Sequence, residues 1–244
     1  MPPKFDFNKI KFATDTSTFE KAVDLYASGK VKNFKEGVRS YSAVVEGGKN
    51  YHVSVEARRF GFGSCNCYLG QKDYLCKHMV ALSIYAVLEG TPIALEDKKS
   101  NTELQCNGRL GELSKVEITK VKKTISEAMR YIKTYSGSSR TWFAYQASLS
   151  EGCNRLSVVV SDLPVSAQTA ELLIKTLLRL DKKLCTGGVD DSDGTVGGFI
   201  QECVEILKEF VLLDPNIVNS FGLLCKKSTC FGWEEPLVLM YDER

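Results

Sequence analysis

Histidine is rare in this chain, with only two copies in 244 residues. Few histidines are therefore available for a catalytic site that depends on a His–carboxylate pair. The chain also lacks a G-x-S-x-G turn, an H-E-x-x-H helix motif and a glycine loop that could hold a phosphate. These absences predict a protein that is not an enzyme, although the sequence leaves a site built from carboxylates alone open.

Long apolar runs are absent as well. The longest nearly apolar stretch, MVALSIYAVL, is far shorter than the ~20 residues needed to span a bilayer. The N-terminal sequence MPPKFDFNKIKF contains no apolar core of a signal peptide. We therefore expect a cytoplasmic, intracellular protein without a membrane segment. In that compartment the nine cysteines should mostly be free thiols or metal ligands, because the cytosol keeps thiols reduced.

A strong excess of charge of either sign is also lacking, because the formal net charge is only +2. The charge is nevertheless uneven, with a basic excess in residues 1–140 and an acidic excess in residues 181–244. This distribution does not indicate a strongly basic nucleic-acid binder. It does place the positive charge in the first half of the chain, where it could meet an anionic partner.

The chain does contain one dense cluster of metal-ligand residues. Residues 64–78 read SCNCYLGQKDYLCKH, with the spacing C-x-C-x8-C-x-H. Thiolates and imidazole suit zinc, and four such ligands make a closed tetrahedral site. Gly70 in the spacer lets the chain loop back, and the second ligand pair precedes a predicted buried helix whose N-terminus favours a thiolate.

Three alternative roles for the cluster stay open at this point. The cysteines could be ordinary core residues, because free cysteine is often buried. They could form a redox centre, although the usual C-x-x-C spacing is absent. A Cys–His nucleophile pair is also conceivable, but it leaves two cysteines without a role. Zinc is the hypothesis that uses all four residues.

The spacing C-x-C-x8-C-x-H resembles that of the SWIM zinc finger. The upstream segments TFEKAVDLYASGKV and YSAVVEGGKNYHVSVEARRF, and the downstream segment CKHMVAL, extend the resemblance over roughly residues 17–90. The resemblance implies one structural Zn²⁺ held by Cys65, Cys67, Cys76 and His78. It also implies DNA binding or protein contact rather than catalysis. The stretches DDSDGTVG, LLDP and WEEPL resemble, more weakly, the helical region of small bacterial SWIM proteins.

The pattern along the chain predicts two domains. Residues 1–90 should form an α+β zinc-finger unit made of a helix ending at Gly29, a β-hairpin, the zinc loop and a second helix. Its sheet should be small, so the metal should supply much of its stability. Residues 91–114 are polar and irregular and are predicted to be a connector. Residues 115–244 should form an all-α helical domain.

The helical domain is predicted to contain about five helices. Apolar residues recur at helical spacing over residues 118–135 and 142–163. A third helix should begin at Pro164, a fourth should cover residues 196–213, and a short fifth should have Asp214 as N-cap.

Two further metal sites are weaker alternatives in this domain. Six cysteines lie outside the cluster. Packing is the favoured role for Cys153 and Cys203, which lie on apolar helix faces, and the C-x4-C pair of Cys225 and Cys230 could bind a metal. The six are Cys106, Cys153, Cys185, Cys203, Cys225 and Cys230. The acidic segment that begins at Asp191 partly fits a calcium loop, but Val196 occupies the position that needs glycine. A tight turn before a helix explains this segment equally well.

Basic side chains surround the zinc loop at Arg58, Arg59, Lys72 and Lys77. A basic face beside a finger could contact phosphates, whereas a merely solvated face is the alternative. We predict a non-enzymatic, zinc-binding interaction module that contacts nucleic acid, with DNA favoured over RNA. The alternative function is a protein–protein adaptor for a DNA-processing enzyme or another partner enzyme.

Overall fold

The computed structural model describes residues 2–99, 102–137 and 142–244. The chain divides into two compact units, residues 1–101 and 102–244, called here the N-terminal unit and the helical unit. The N-terminal unit combines helices with a sheet, and the helical unit has helices throughout its described part. The predicted fold class, an α+β finger unit followed by an all-α region, is confirmed.

The predicted connector, residues 91–114, is divided between the two units. The Tyr26 hydroxyl donates to the Thr91 carbonyl at 2.7 Å, within the N-terminal unit. The Arg109 guanidinium pairs with Asp162 at 2.9 Å, within the helical unit. Residues 100 and 101 lie outside the described residues.

The N-terminal unit begins with two helices that lead into a sheet. Helix α1 covers Phe7–Phe12 and α2 covers Thr16–Ala27. The Asp15 side chain caps α2 by accepting from the Thr18 amide at 2.9 Å. The chain leaves α2 through Gly29, whose φ of +63° suits glycine, as the sequence predicted for a helix end.

The sheet has four antiparallel strands in the order β1-β2-β3-β4. Their bounds are Val31–Glu36, Ser40–Glu46, Asn50–Glu56 and Gly63–Cys65. The predicted hairpin corresponds to β2 and β3, whereas β1 and β4 were not predicted. Strand β1 is rich in charge and interrupted by an irregularity between Lys32 and Lys35, and β4 has only three residues, so neither shows a strand pattern.

Helix α3, Lys77–Leu88, forms the centre of this unit. It is apolar on nearly every side and packs against α2 and the inner face of the sheet. Alternate strand residues such as Val45, Val53 and Val55 contribute that inner face. The helix therefore fixes the position of its own first residues, and one of these, His78, belongs to the ligand cluster together with the N-cap residue Cys76.

The helical unit contains five α-helices and one 3-10 helix in its described part. The α-helices are α4 (Lys115–Ala128), α5 (Trp142–Ser161), α6 (Ala167–Cys185), α7 (Thr195–Leu213) and α8 (Glu235–Asp242). The 3-10 helix covers Pro215–Leu224, with Asp214 as N-cap. Their apolar faces form one continuous core.

Two predicted helix boundaries in this unit are wrong. Helix α4 ends at Ala128 instead of continuing to residue 135, although Ile132 beyond it is still buried in the core. Helix α6 begins after its N-cap Ser166 instead of at Pro164, because Val165 forms a β-bridge with Leu110. The predicted short fifth helix is present as a 3-10 helix, with Asp214 as its N-cap and Pro215 at its first position as expected.

Helix α8 was not predicted, since its short sequence has no clear helical period. In the described ranges no helix has the length and apolar character that crossing a membrane requires.

Candidate metal centre

The four predicted ligands come from three neighbouring segments of the N-terminal unit. Cys65 is the last residue of β4 and lies opposite Val53 of β3. Cys67 follows in the loop after β4. Cys76 is the N-cap residue of α3, and His78 is the second residue of that helix. Strand pairing and helix packing therefore bring the two ligand pairs to one end of the sheet.

The ligand atoms of these four residues all lie within 4.8 Å of one another, and all four residues are buried. The His78 Nδ1 atom is 3.7 Å from Cys65 Sγ and 3.9 Å from Cys76 Sγ. In a tetrahedral zinc site, bond lengths of about 2.0–2.3 Å place neighbouring ligand atoms about 3.6–3.8 Å apart. The cluster has the dimensions of such a site.

The protonation of the cysteines also fits a metal site. A hydrogen bond from the Cys65 thiol lowers the pKa of Cys76 to about 4, although burial acts in the opposite direction. The same hydrogen bond raises the pKa of Cys65. Two adjacent buried thiols cannot both ionise without a cation between them, and a metal ion supplies that charge.

The donor set and its surroundings fit one structural Zn²⁺. Three thiolates and one imidazole would complete the four-coordination of the ion from the protein alone and would leave no position for a reactive water. The Tyr51 ring stacks on the His78 ring at 4.0 Å between centroids and holds its orientation. With Nδ1 directed at the thiols, His78 Nε2 is buried and has no hydrogen-bond partner within the described ranges.

The backbone of Gly70 lies directly against two residues of the cluster. Its amide donates to Cys67 Sγ at 3.3 Å, a contact that stabilises a thiolate. A Cβ atom at this position would lie 2.4 Å from the Cys65 carbonyl oxygen. The sequence predicted a glycine that lets the chain loop back, and the physical requirement is room for Cys65 rather than a left-handed backbone.

The predicted nucleic-acid residues lie in two segments of the N-terminal unit. Arg58 and Arg59 follow β3 at its Glu56 end, whereas the ligand cluster lies near the Tyr51 end of that strand. Five residues of strand separate these ends by about 17 Å. Lys72 and Lys77 lie in the loop and helix start of the zinc region.

Arg58 and Arg59 instead line a cleft with a third arginine that the sequence prediction did not include. The cleft has a volume of about 700 Å³ and is lined by Arg39, Ser40, Glu56, Arg58 and Arg59. We call it the arginine cleft. The strand register explains the position of Arg39, because the Ala57 amide donates to the Arg39 carbonyl at 2.9 Å. The charge pattern alone could not bring these segments together.

Aromatic side chains beside these cations are exposed, and the sequence prediction did not include them either. The Arg59 guanidinium lies 3.9 Å from the centre of the exposed Phe62 ring and pairs with Glu56 at 3.1 Å. The Lys72 ammonium donates to the Tyr68 hydroxyl at 2.7 Å, and Tyr68 is 71% exposed. Arg59 and Lys72 thus each have an aromatic ring next to the charge.

The remaining cysteines correct part of the sequence interpretation. Cys153 and Cys203 are buried in the helical core, as expected for packing residues. Cys185 and Cys230, in contrast, are joined by a disulfide, so neither is a free packing residue. The suggested C-x4-C metal pair does not form, because Cys230 bonds to Cys185 and Cys225 stays free.

The acidic segment before α7 acts as a helix cap. The Asp191 carboxylate accepts from the amides of Val196 and Gly197, both at 2.8 Å. Burial nevertheless raises the pKa of Asp191. The alternative of a tight turn before a helix describes this segment, and Asp191 belongs to no potential metal cluster found among the described residues.

Comparison with known proteins identifies the finger alone. The family model of the SWIM zinc finger matches residues 51–86, which include all four cluster residues. The resemblance to a SWIM zinc finger is therefore confirmed over this segment, while the likeness of the helical unit to bacterial SWIM proteins stays a prediction. No curated protein and no solved structure matches the chain.

Proposed function

We propose that this protein is a non-enzymatic interaction module whose zinc-stabilised N-terminal unit contacts nucleic acid, with DNA favoured over RNA. The observation that carries the proposal is the arginine cleft. Three arginines surround it against a single carboxylate, that of Glu56. In a chain with a net charge of only +2, this is a local concentration of positive charge.

The chemistry of the cleft suits a phosphate backbone. The guanidinium group is planar and always charged, and it can donate two parallel hydrogen bonds to one phosphate. Arg59 already forms an ion pair with Glu56, so Arg39 and Arg58 are the more available hydrogen-bond donors for a phosphate. Ser40 adds a hydroxyl at the same place. Exposed Phe62 provides a ring on which a nucleobase could stack beside the charged groups.

The closed metal site supports the non-enzymatic part of the proposal. All four coordination positions would be filled by protein side chains, and the role left for such an ion is to hold the fold. The preference for DNA comes from the resemblance to SWIM fingers, which are associated with DNA binding. Zinc would act on nucleic-acid binding indirectly, by keeping β3 and the residues after it in place.

A salt series with charge-reversal variants tests the proposal. Binding of the full chain to a labelled duplex, a single strand and an RNA of the same sequence would be followed by fluorescence anisotropy. We expect affinity for DNA to fall steeply with salt, because phosphate contacts release counterions. The double variant Arg39→Glu/Arg58→Glu should bind at least about tenfold more weakly and reduce the salt slope by about one per lost contact.

Arg179→Glu is the matched control, because Arg179 is an exposed arginine on α6 of the helical unit. It should leave both the affinity and the salt slope nearly unchanged. Equal weakening by the two charge reversals would mean that only overall charge matters. Retention of full binding by the double variant would exclude the arginine cleft as the contact surface.

The protein–protein adaptor is the second candidate, and exposed leucines of the helical unit favour it. Leu212 is 82% exposed and Leu239 is 60% exposed, in a region with an acidic excess. Large apolar side chains in water are typical of interaction surfaces only when they cluster. If the protein bound no nucleic acid even at low salt, the protein–protein adaptor would become the favoured function.

A further inference from the structure

The disulfide of the helical unit joins two segments that are distant in sequence. Cys185 is the last residue of α6, and Cys230 lies in the loop that precedes α8. The two cysteines are 45 residues apart, and the segment between them contains α7 and the 3-10 helix. Both cysteine residues are exposed. The cysteines of the metal cluster, in contrast, are buried.

A buried carboxylate holds the Cys230 segment in place without help from the disulfide. Asp181 lies on α6 one turn before Cys185, and its Oδ1 atom accepts from the Cys230 amide at 2.8 Å. The same oxygen accepts from the indole Nε1 of the buried Trp233 at 3.1 Å. The two chain segments would therefore stay together if the sulfur–sulfur bond were absent.

Each sulfur also has a hydrogen-bond acceptor that a thiol would need. Cys185 Sγ lies 3.5 Å from Asp181 Oδ2, and Cys230 Sγ lies 3.4 Å from the Asp181 carbonyl oxygen. A disulfide has no hydrogen to donate, but the thiols of the reduced state would have these two oxygens within hydrogen-bond reach.

We propose that Cys185 and Cys230 form a reversible dithiol–disulfide couple whose reaction partner is a dithiol. A thiolate of the partner attacks one sulfur of the bond, which breaks and leaves the other cysteine as a thiolate that takes up a proton. The second partner thiol, as its thiolate, then attacks the mixed disulfide and releases the second cysteine, which is protonated in turn. Two electrons and two protons reach the protein, and the partner becomes a disulfide.

The couple controls the connection of the C-terminal segment to α6. In the oxidised state residues 228–244 are bound covalently to α6 through Cys230. In the reduced state non-covalent contacts, among them those of Asp181, Trp233 and α8, would hold them. Exposed disulfides tend to have less negative potentials than buried structural ones, which makes exchange with a dithiol practicable.

A redox titration of the full chain tests the proposal. The protein is equilibrated in mixtures of reduced and oxidised dithiothreitol, free thiols are alkylated, and each cysteine is quantified by mass spectrometry. We expect Cys185 and Cys230 to become reactive together in one two-electron transition while the helical circular dichroism signal stays native. Cys225→Ser, which removes a nearby free thiol, is the matched control and should leave the transition unchanged, whereas Cys185→Ser should abolish it.

Trypsin provides a second readout that needs no variant. Lys226 and Lys227 are exposed in the loop before Cys230. Cleavage there should leave the C-terminal fragment attached on a non-reducing gel of oxidised protein and free after dithiol treatment. Three results would overturn the proposal: thiols that stay free in oxidising mixtures, a bond reduced only when the helical unit unfolds, or a reduced site that binds a second zinc lost in Cys185→Ser.

Discussion

At the scale of single residues, Gly70 is the position where one methyl group should most disturb the metal centre. The methyl carbon of Gly70→Ala would lie 2.4 Å from the Cys65 carbonyl oxygen and 2.5 Å from Cys65 Cβ. Such overpacking costs about 1–3 kcal/mol. If this free-energy cost applies to the metal-bound state, the zinc affinity should fall about fivefold to a hundredfold, because about 1.4 kcal/mol corresponds to a tenfold change in affinity. Competition with a zinc chelator measures it.

Gly48→Ala is the control for this substitution, because a Cβ atom at Gly48 meets nothing within 4 Å. It lies in the turn between β2 and β3 of the same unit. Its zinc affinity should equal that of the wild type. Equal affinities of the Gly70→Ala protein and the wild type would show that the loop can shift away from Cys65 at no cost.

The cluster residues were predictable from sequence because their chemistry is rare and their spacing is short. Four ligand-type residues within one segment need no knowledge of the fold. Arg39 was not predictable, since its proximity to Arg58 depends on the pairing register of β2 and β3. The bond of Cys185 to Cys230 likewise depends on tertiary packing across 45 residues.

At the scale of elements, the start of α4 should give the helical unit a pH-dependent contribution to stability. The Glu117 carboxylate accepts from the Ser114 amide at 2.8 Å, and Ser114 Oγ accepts from the Glu117 amide. Hydrogen bonds with the Ser114 side chain and amide lower the pKa of Glu117. The stabilisation is therefore complete above the unfolded pKa of about 4.3 and is lost as pH falls through the lower folded pKa.

The substitution Glu117→Gln tests this contribution. The variant should unfold at a lower temperature than the wild type near neutral pH, and the difference should shrink as pH falls through the folded pKa and vanish once the carboxyl is protonated in both states. Tryptophan emission follows the unfolding. Glu127→Gln on the same helix is the control outside the cap. A difference that persists unchanged in acid would mean that charge plays no part in the cap.

The long helices and strands could be predicted from the sequence, whereas the short ones and the ends of helices could not. Helix α3 and strands β2 and β3 carry clear apolar patterns, and they occur where expected. Strand β1 is held by its pairing with β2 rather than by an apolar pattern of its own. The end of α4 at Ala128 was missed because the apolar spacing continues to the buried Ile132 in a non-helical segment.

At the scale of the whole molecule, metal removal should unfold one unit and spare the other. The chain has only two tryptophans, Trp142 and Trp233, and both belong to the helical unit. Structural zinc contributes folding energy directly, on the order of 10 kcal/mol in small finger peptides. An excess of chelator should therefore reduce the far-UV circular dichroism of the N-terminal unit while tryptophan emission stays unchanged.

Re-addition of zinc after chelation should restore the lost signal. Mg²⁺ at the same concentration is the control ion, because it prefers oxygen ligands to thiolates. Parallel changes in tryptophan emission and circular dichroism would show that the two units unfold together. An unchanged dichroism spectrum after complete zinc removal would show that the sheet and α3 suffice for folding.

The two edges of the sheet are protected against pairing with other chains in unequal ways. Edge strand β1 carries lysines and an irregularity, both of which discourage another strand from adding. At the opposite edge β3 is covered by the three residues of β4 and by flanking contacts of Phe62 and Asn66, and β4 ends in the ligand Cys65. Release of the metal would free β4 and expose β3, whose valines alternate along a strand without proline. We therefore expect loss of zinc to promote aggregation as well as unfolding.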